Sequence, residues 1–102
     1  MEKAKCNYVV RVMLPVTEHL VECRAHRWRE GAMSDFFDTI AGEIIRYSAT
    51  GGDYKLHKVD IVSKVEQKVI ASVDLIVLRK YLRNTEVDAA SLHAIIKLNG
   101  RF

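Results

Sequence analysis

The chain has 102 residues, 49% of them apolar, and its 16 Lys and Arg against 13 Asp and Glu give a net charge of +3. That length fits one domain, 1–102, large enough for a core without disulfides or metal, and one proline with five glycines excludes a low-complexity chain. The charge is small and its two signs are interspersed, so composition alone does not mark a nucleic-acid binder.

No apolar run approaches the ~18 residues that cross a bilayer, and the N-terminal stretch lacks the long apolar core of a secretion signal. The expectation is a cytoplasmic protein without a membrane partner. Cys6 and Cys23 are too few for a disulfide framework and lack CxxC spacing, so two reduced, partly buried thiols are expected.

Taken in chain order, Tyr8 to Leu14 is rich in valine and alternates, with Tyr8, Val10, Val12 and Leu14 on one face of a strand that Pro15 ends. Thr17 to Trp28 reads two ways. With period two, Val21, Cys23 and Ala25 face inward and Glu22, Arg24 and His26 face out. As a helix, Leu20, Val21, Arg24 and Trp28 share a stripe that an arginine interrupts. The cleaner period favours a second strand.

The strongest periodicity follows. Met33, Phe36, Phe37, Ile40, Ala41, Ile44 and Ile45 recur every three or four residues, which predicts a helix over 33–48 with an apolar face. Ser34 is its expected N-cap, Asp35 and Asp38 suit the positive end of its dipole, and Gly51-Gly52 stops it. Gly42 in its middle is expected to allow close packing on a sheet.

Tyr54 to Ile61 predicts a third strand with His57, Val59 and Ile61 on one face. Val69 to Val77 predicts a fourth, with Val69, Ala71, Val73, Leu75 and Val77 inward and a hairpin loop at 63–67 between them. Ser63 and Glu66 also have capping-box spacing, so a long helix is the rival there; the density of Val and Ile favours strand. Leu78 to Leu82 either continues that strand or turns into a short helix. Thr85 and Asp88 start a last helix that Asn99-Gly100 ends. The order β-β-α-β-β-α implies a small α+β two-layer sandwich, an antiparallel four-stranded sheet with two helices on one face.

Catalytic patterns are weak. His19, Cys23 and His26 would share a stripe on a helix, but on a strand His26 points away from the other two, so no metal site is expected and Cys23 reads as a core thiol beside surface histidines. Cys23 with His57 or His93 carries no activating feature. Gly51-Gly52 lacks the rest of any phosphate-binding loop, and no cofactor is expected. The carboxylate sets Glu18/Glu22, Asp35/Asp38 and Asp53/Asp60 suit capping or surface pairing, with Asp60 and Asp74 on an outer face opposite Lys58 and Lys68. The chain therefore reads as a non-enzyme.

What stands out is basic residues beside an aromatic. Arg24, His26, Arg27, Trp28 and Arg29 form one patch, and Arg79, Lys80 and Arg83 flank Tyr81 in another. Arg and Trp dominate protein-interface hot spots, and arginine beside an indole also stacks on bases. The expected function is a non-catalytic interaction module, a small adaptor, regulator or inhibitor that binds another protein through a sheet edge or this patch, with homodimerisation as one form of that binding. The alternative is a nucleic-acid binder using both basic patches.

Overall fold

The computed structural model describes residues 6–77. Strands β1 (Tyr8–Met13) and β2 (Leu20–His26) form a hairpin, helix α1 (Arg29–Ala49) follows after two residues, and β3 (Lys58–Ser63) and β4 (Lys68–Asp74) form a second hairpin. All pairings are antiparallel, in the order β2-β1-β3-β4. The α+β class and the four-stranded antiparallel sheet are those implied by the sequence. Residues 75–77 begin a helical turn. The helix expected from Thr85, the stretch Leu78–Leu82, His93 and the patch Arg79, Lys80 and Arg83 lie outside the described residues.

β1 and β3 are central, and their alternation decides the core. Val10 sits opposite Ile61 and Val12 opposite Val59; all four are buried, and Val10, Val59 and Ile61 cluster with Phe36, Ile40 and Ile44 of α1 and with Leu56, Val73 and Leu75. α1 starts one turn earlier than its apolar stripe suggests. Its N-cap is Trp28, with no side-chain cap, and Ser34 lies inside it. Its C-terminus matches expectation: Thr50 Oγ1 donates to the carbonyls of Arg46 and Tyr47, and Gly51 and Gly52 follow at φ 66° and 91°, a backbone region glycine enters without penalty. The buried stripe runs through Ala32, Phe36, Ile40, Ile44 and Tyr47, whereas Ile45, expected inside, is exposed.

Two strands differ from their sequence reading for identifiable reasons. Tyr54–His57 is not part of β3, because its polar side chains are drawn to α1 and Leu56 is turned into the core. β4 carries a bulge: Ile61 pairs with Ala71 but Val62 with Val69, so Ile70 is the extra residue. The bulge buries Ile70 and Ala71 together and moves Val69 out of the inward set. β4 ends at Asp74 because Asp74 Oδ1 accepts the backbone N–H of Ile76 at 3.1 Å, capping the turn that starts at Leu75 and leaving Val77 exposed. The capping-box spacing of Ser63 and Glu66 is used, but in a turn: Ser63 Oγ accepts the Glu66 N–H at 3.1 Å.

On the sheet face away from α1, Arg11 and Asp60 are register partners. The guanidinium forks onto both carboxylate oxygens, Nε to Oδ1 at 2.8 Å and an Nη to Oδ2 at 2.5 Å. Asp60 is 2% exposed. Its partner is thus Arg11 rather than Lys58 or Lys68; Lys58 instead reaches Glu18 at 2.9 Å.

Candidate functional site

The two faces of β2 are exchanged relative to the sequence reading. Register pairs Tyr8, Val10 and Val12 with His26, Arg24 and Glu22, so the charged residues of β2 point to the α1 side and Cys23 and Ala25 to the other. The cause is the two-residue link to α1. It brings the first turns of the helix alongside β2, where Asp35 waits for a cation. Cys23 is consequently exposed and free, as is Cys6, while Arg24 and His26 are half-buried.

Asp35 is a clamp rather than a cap residue. Arg24 Nε donates to its two oxygens at 3.1 and 2.9 Å, an Arg24 Nη adds a bond of 2.9 Å, His26 Nε2 lies 2.6 Å from Oδ2, and Thr39 Oγ1 donates to Oδ1 at 3.0 Å. Arg24 also donates to Thr39 Oγ1 and Glu22 Oε1, each at 2.5 Å. Burial alone would push the Asp35 carboxyl up, but the bonds from Arg24, His26 and Thr39 outweigh it and hold it below its ordinary value, while Asp35 raises the Arg24 guanidinium. A carboxylate depressed in the folded state stabilises the fold above its unfolded pKa, and that contribution disappears as pH falls through the folded one. Asp35→Asn is therefore expected to be less stable than wild type at neutral pH, with the gap closing below about pH 4. Urea titrations at a series of pH values check it; a gap that stays constant down to acid pH rules out the clamp.

The predicted basic patch is thus divided. Arg24 and His26 are spent on Asp35, and what remains exposed lies at the β2–α1 junction. There Trp28 is 63% exposed with the Arg27 guanidinium 4.9 Å from its ring centroid, and Arg29 opens the helix beside them.

A second polar cluster, not foreseen, ties α1 to the approach of β3. Glu43 is 4% exposed. Its Oε1 accepts the backbone N–H of His57 at 3.0 Å and lies 2.6 Å from His57 Nδ1, and its Oε2 accepts the Tyr54 hydroxyl. Burial and the neighbouring carboxylate raise the Tyr54 hydroxyl, so it stays a neutral donor. With Nδ1–H given to Glu43, a neutral His57 ring carries its lone pair on Nε2. The sequence did carry a signal for Glu43: it falls three residues after Ile40 and four before Tyr47, inside the apolar stripe, where a carboxylate needs partners.

Between these clusters runs a cleft of about 340 Å³ lined by Val12, Val21, Arg24, Gly42, Glu43 and His57 among others. Gly42 opens this cleft instead of packing against the sheet; a Cβ placed there meets nothing within 4 Å. Cys23 lies on the far face of β2 from His57. His19 belongs to the turn before β2, and Cys23 and His26 point to opposite faces, so the three do not converge. Among the described residues no group of three His, Cys, Asp or Glu is arranged to hold a metal ion, and no helix is long and apolar enough to cross a membrane.

The outer margin of β2 is the other feature. Among the described residues β2 has one neighbour, β1, and Leu20, Val21, Cys23 and Ala25 are exposed along it. Lys64 N–H donates to the Asn7 carbonyl, so Asn7 and the odd residues of β1 bond toward β3 while the even ones bond toward β2. The partners of those even residues are Glu22, Arg24 and His26. The N–H and C=O groups of Cys23 and Ala25 therefore point off the sheet. Comparison of the chain with protein-family models, with curated proteins and with solved structures returns no match.

Proposed function

We propose that this is a non-catalytic interaction module that binds another protein by adding a strand to the β2 edge. The observation that carries this reading is the pairing of outward backbone groups at Cys23 and Ala25 with exposed apolar side chains at Leu20 and Val21 on the same strand. Backbone bonds along such an edge supply affinity, and alternate side chains supply selection. β2 carries neither lysine nor proline, and its bulge, at Val21, lies before the outward groups of Cys23 and Ala25. Trp28, exposed just past the strand, is a natural anchor at one end of the docked segment.

Proline at position 25 tests the edge itself. It removes an outward N–H without taking a bond from the β1–β2 ladder, so the fold is retained. Immobilised wild-type chain is expected to capture partners from nuclease-treated extract that the Ala25→Pro chain loses. Recovery of the same partners by both chains removes the edge from consideration.

A second reading, a nucleic-acid binder, is favoured by one observation, the exposed Arg27–Trp28 stack with Arg29 beside it. It is weakened by the loss of Arg24 to Asp35. It calls for salt-sensitive binding that disappears in Trp28→Ala.

A further inference from the structure

We infer that the β2 edge pairs with the β2 edge of a second copy of this chain, antiparallel about a two-fold axis at Cys23. The inference rests on the edge-docking reading and names its partner. The strand Leu20–His26 reads Leu-Val-Glu-Cys-Arg-Ala-His, and about its midpoint it is complementary to itself. Glu22 falls opposite the second copy's Arg24, and Arg24 opposite that copy's Glu22, two pairs related by the axis. Within each chain Arg24 already bonds its own Glu22 and Asp35, so the second copy's carboxylate joins that network.

The directions of the backbone groups agree with this register. Cys23 points its N–H and C=O off the sheet, so the two copies of Cys23 exchange both backbone bonds across the axis. Glu22 and Arg24 then form the intervening pairs without backbone bonds, where antiparallel side chains stand closest. Both carboxylates and both guanidiniums lie on the α1 side, since Glu22 and Arg24 share that face.

Charge also selects against the neighbouring registers. Sliding the second strand by two residues one way puts Arg24 opposite Arg24, and the other way puts Glu22 opposite Glu22. Parallel pairing in register opposes both like pairs at once. Because a slip of one residue would set the two faces against each other, only the Cys23-centred register satisfies pattern and charge together. On the opposite margin β4 begins with Lys68 and is bulged at Ile70, near its middle; the bulge of β2, at Val21, leaves Glu22, Cys23 and Arg24 in regular pairing with β1. The product is an eight-stranded sheet with both α1 helices on one side and the two Cys23 thiols adjacent on the other.

The test is a charge exchange read by sedimentation equilibrium and native mass spectrometry. Wild-type chain is expected to be dimeric. Glu22→Arg turns both attractive pairs repulsive and should weaken association about tenfold or more; it also removes the Arg24 bond within the chain, so circular dichroism checks that this variant folds. Arg24→Glu does the same from the other side, with circular dichroism checking that it folds without the Asp35 clamp. Mixed together, the two variants should form a dimer with one of each, because position 22 of either copy faces position 24 of the other. Each such pair then sets an arginine of the first variant against a glutamate of the second. In a Cys6→Ser background, a short bis-thiol reagent should join two copies through Cys23.

A wild-type chain that stays monomeric at about 1 mM overturns self-pairing. So does a dimer indifferent to Glu22→Arg and not joined through Cys23. Either failure is separate from failure of the docking reading, which requires that the Ala25→Pro chain capture what the wild type captures.

Discussion

Replacing Asp60 by alanine is expected to destabilise the fold by about 3 kcal/mol, measured by urea unfolding at neutral pH. Asp60 is almost wholly buried, and both of its oxygens are taken by Arg11 on the adjacent strand. Removing it leaves a guanidinium in the middle of the sheet without its bonded carboxylate; the other nearby acid, Glu18, is paired with Lys58. Arg11 is about one-third accessible, its side chain being 35% exposed, so it regains some water, which sets the cost at the lower end for a broken buried pair. The double replacement Arg11→Met with Asp60→Leu should recover most of the loss, because desolvating two charges costs about as much as their attraction returns. A double variant no more stable than Asp60→Ala contradicts this account of the pair.

Glu43→Ala is expected to cost about 3 kcal/mol by the same measurement, for a different reason. Glu43 gathers three donors: the His57 N–H, the His57 ring and the Tyr54 hydroxyl. Deleting it orphans all three where the chain enters β3. Hydrogen exchange gives the local readout, since the His57 amide loses its acceptor and should exchange much faster while the amides of β1 keep their protection. Glu43→Gln keeps one acceptor oxygen but places an NH₂ against donors, so it should fall between alanine and wild type. An alanine variant with wild-type stability and a still-protected His57 amide would show that the cluster does not brace the fold.

Much of the scaffold was legible in the sequence because its carriers are local and periodic. Val10 and Val12, Val59 and Ile61, and Phe36, Ile40 and Ile44 each repeat at the spacing of the element they occupy, and all reach the core as read. The face of β2 was not legible. Alternation there gives two equally regular sets, one apolar and one charged, and burial favours the first only if a core lies above it. What lies above β2 is Asp35, placed by the two-residue link, so the charged set turned inward. Arg11 with Asp60 and Glu43 with His57 were missed for a related reason, being partners 49 and 14 residues apart in the chain. Glu43 shows in the sequence as a charge inside an apolar stripe, whereas Arg11 and Asp60 stand where alternation assigns an outer face and a charge gives no signal. The divided basic patch follows directly, since the sequence shows Arg24 and His26 as cations but not the carboxylate that occupies them.

The contrast between the two sides of α1 gives the molecule a direction of compliance. Toward β1 and β3 the helix is held by interlocked apolar side chains, whose contacts fall away steeply once surfaces separate. Toward β2 it is held by Arg24, His26 and Asp35, charged groups that water can replace one bond at a time. The sheet margin can therefore bend relative to the helix and widen or narrow the cleft at Gly42 while the core stays shut. A strand laid along that margin, as proposed for β2, would add backbone bonds that resist this bending.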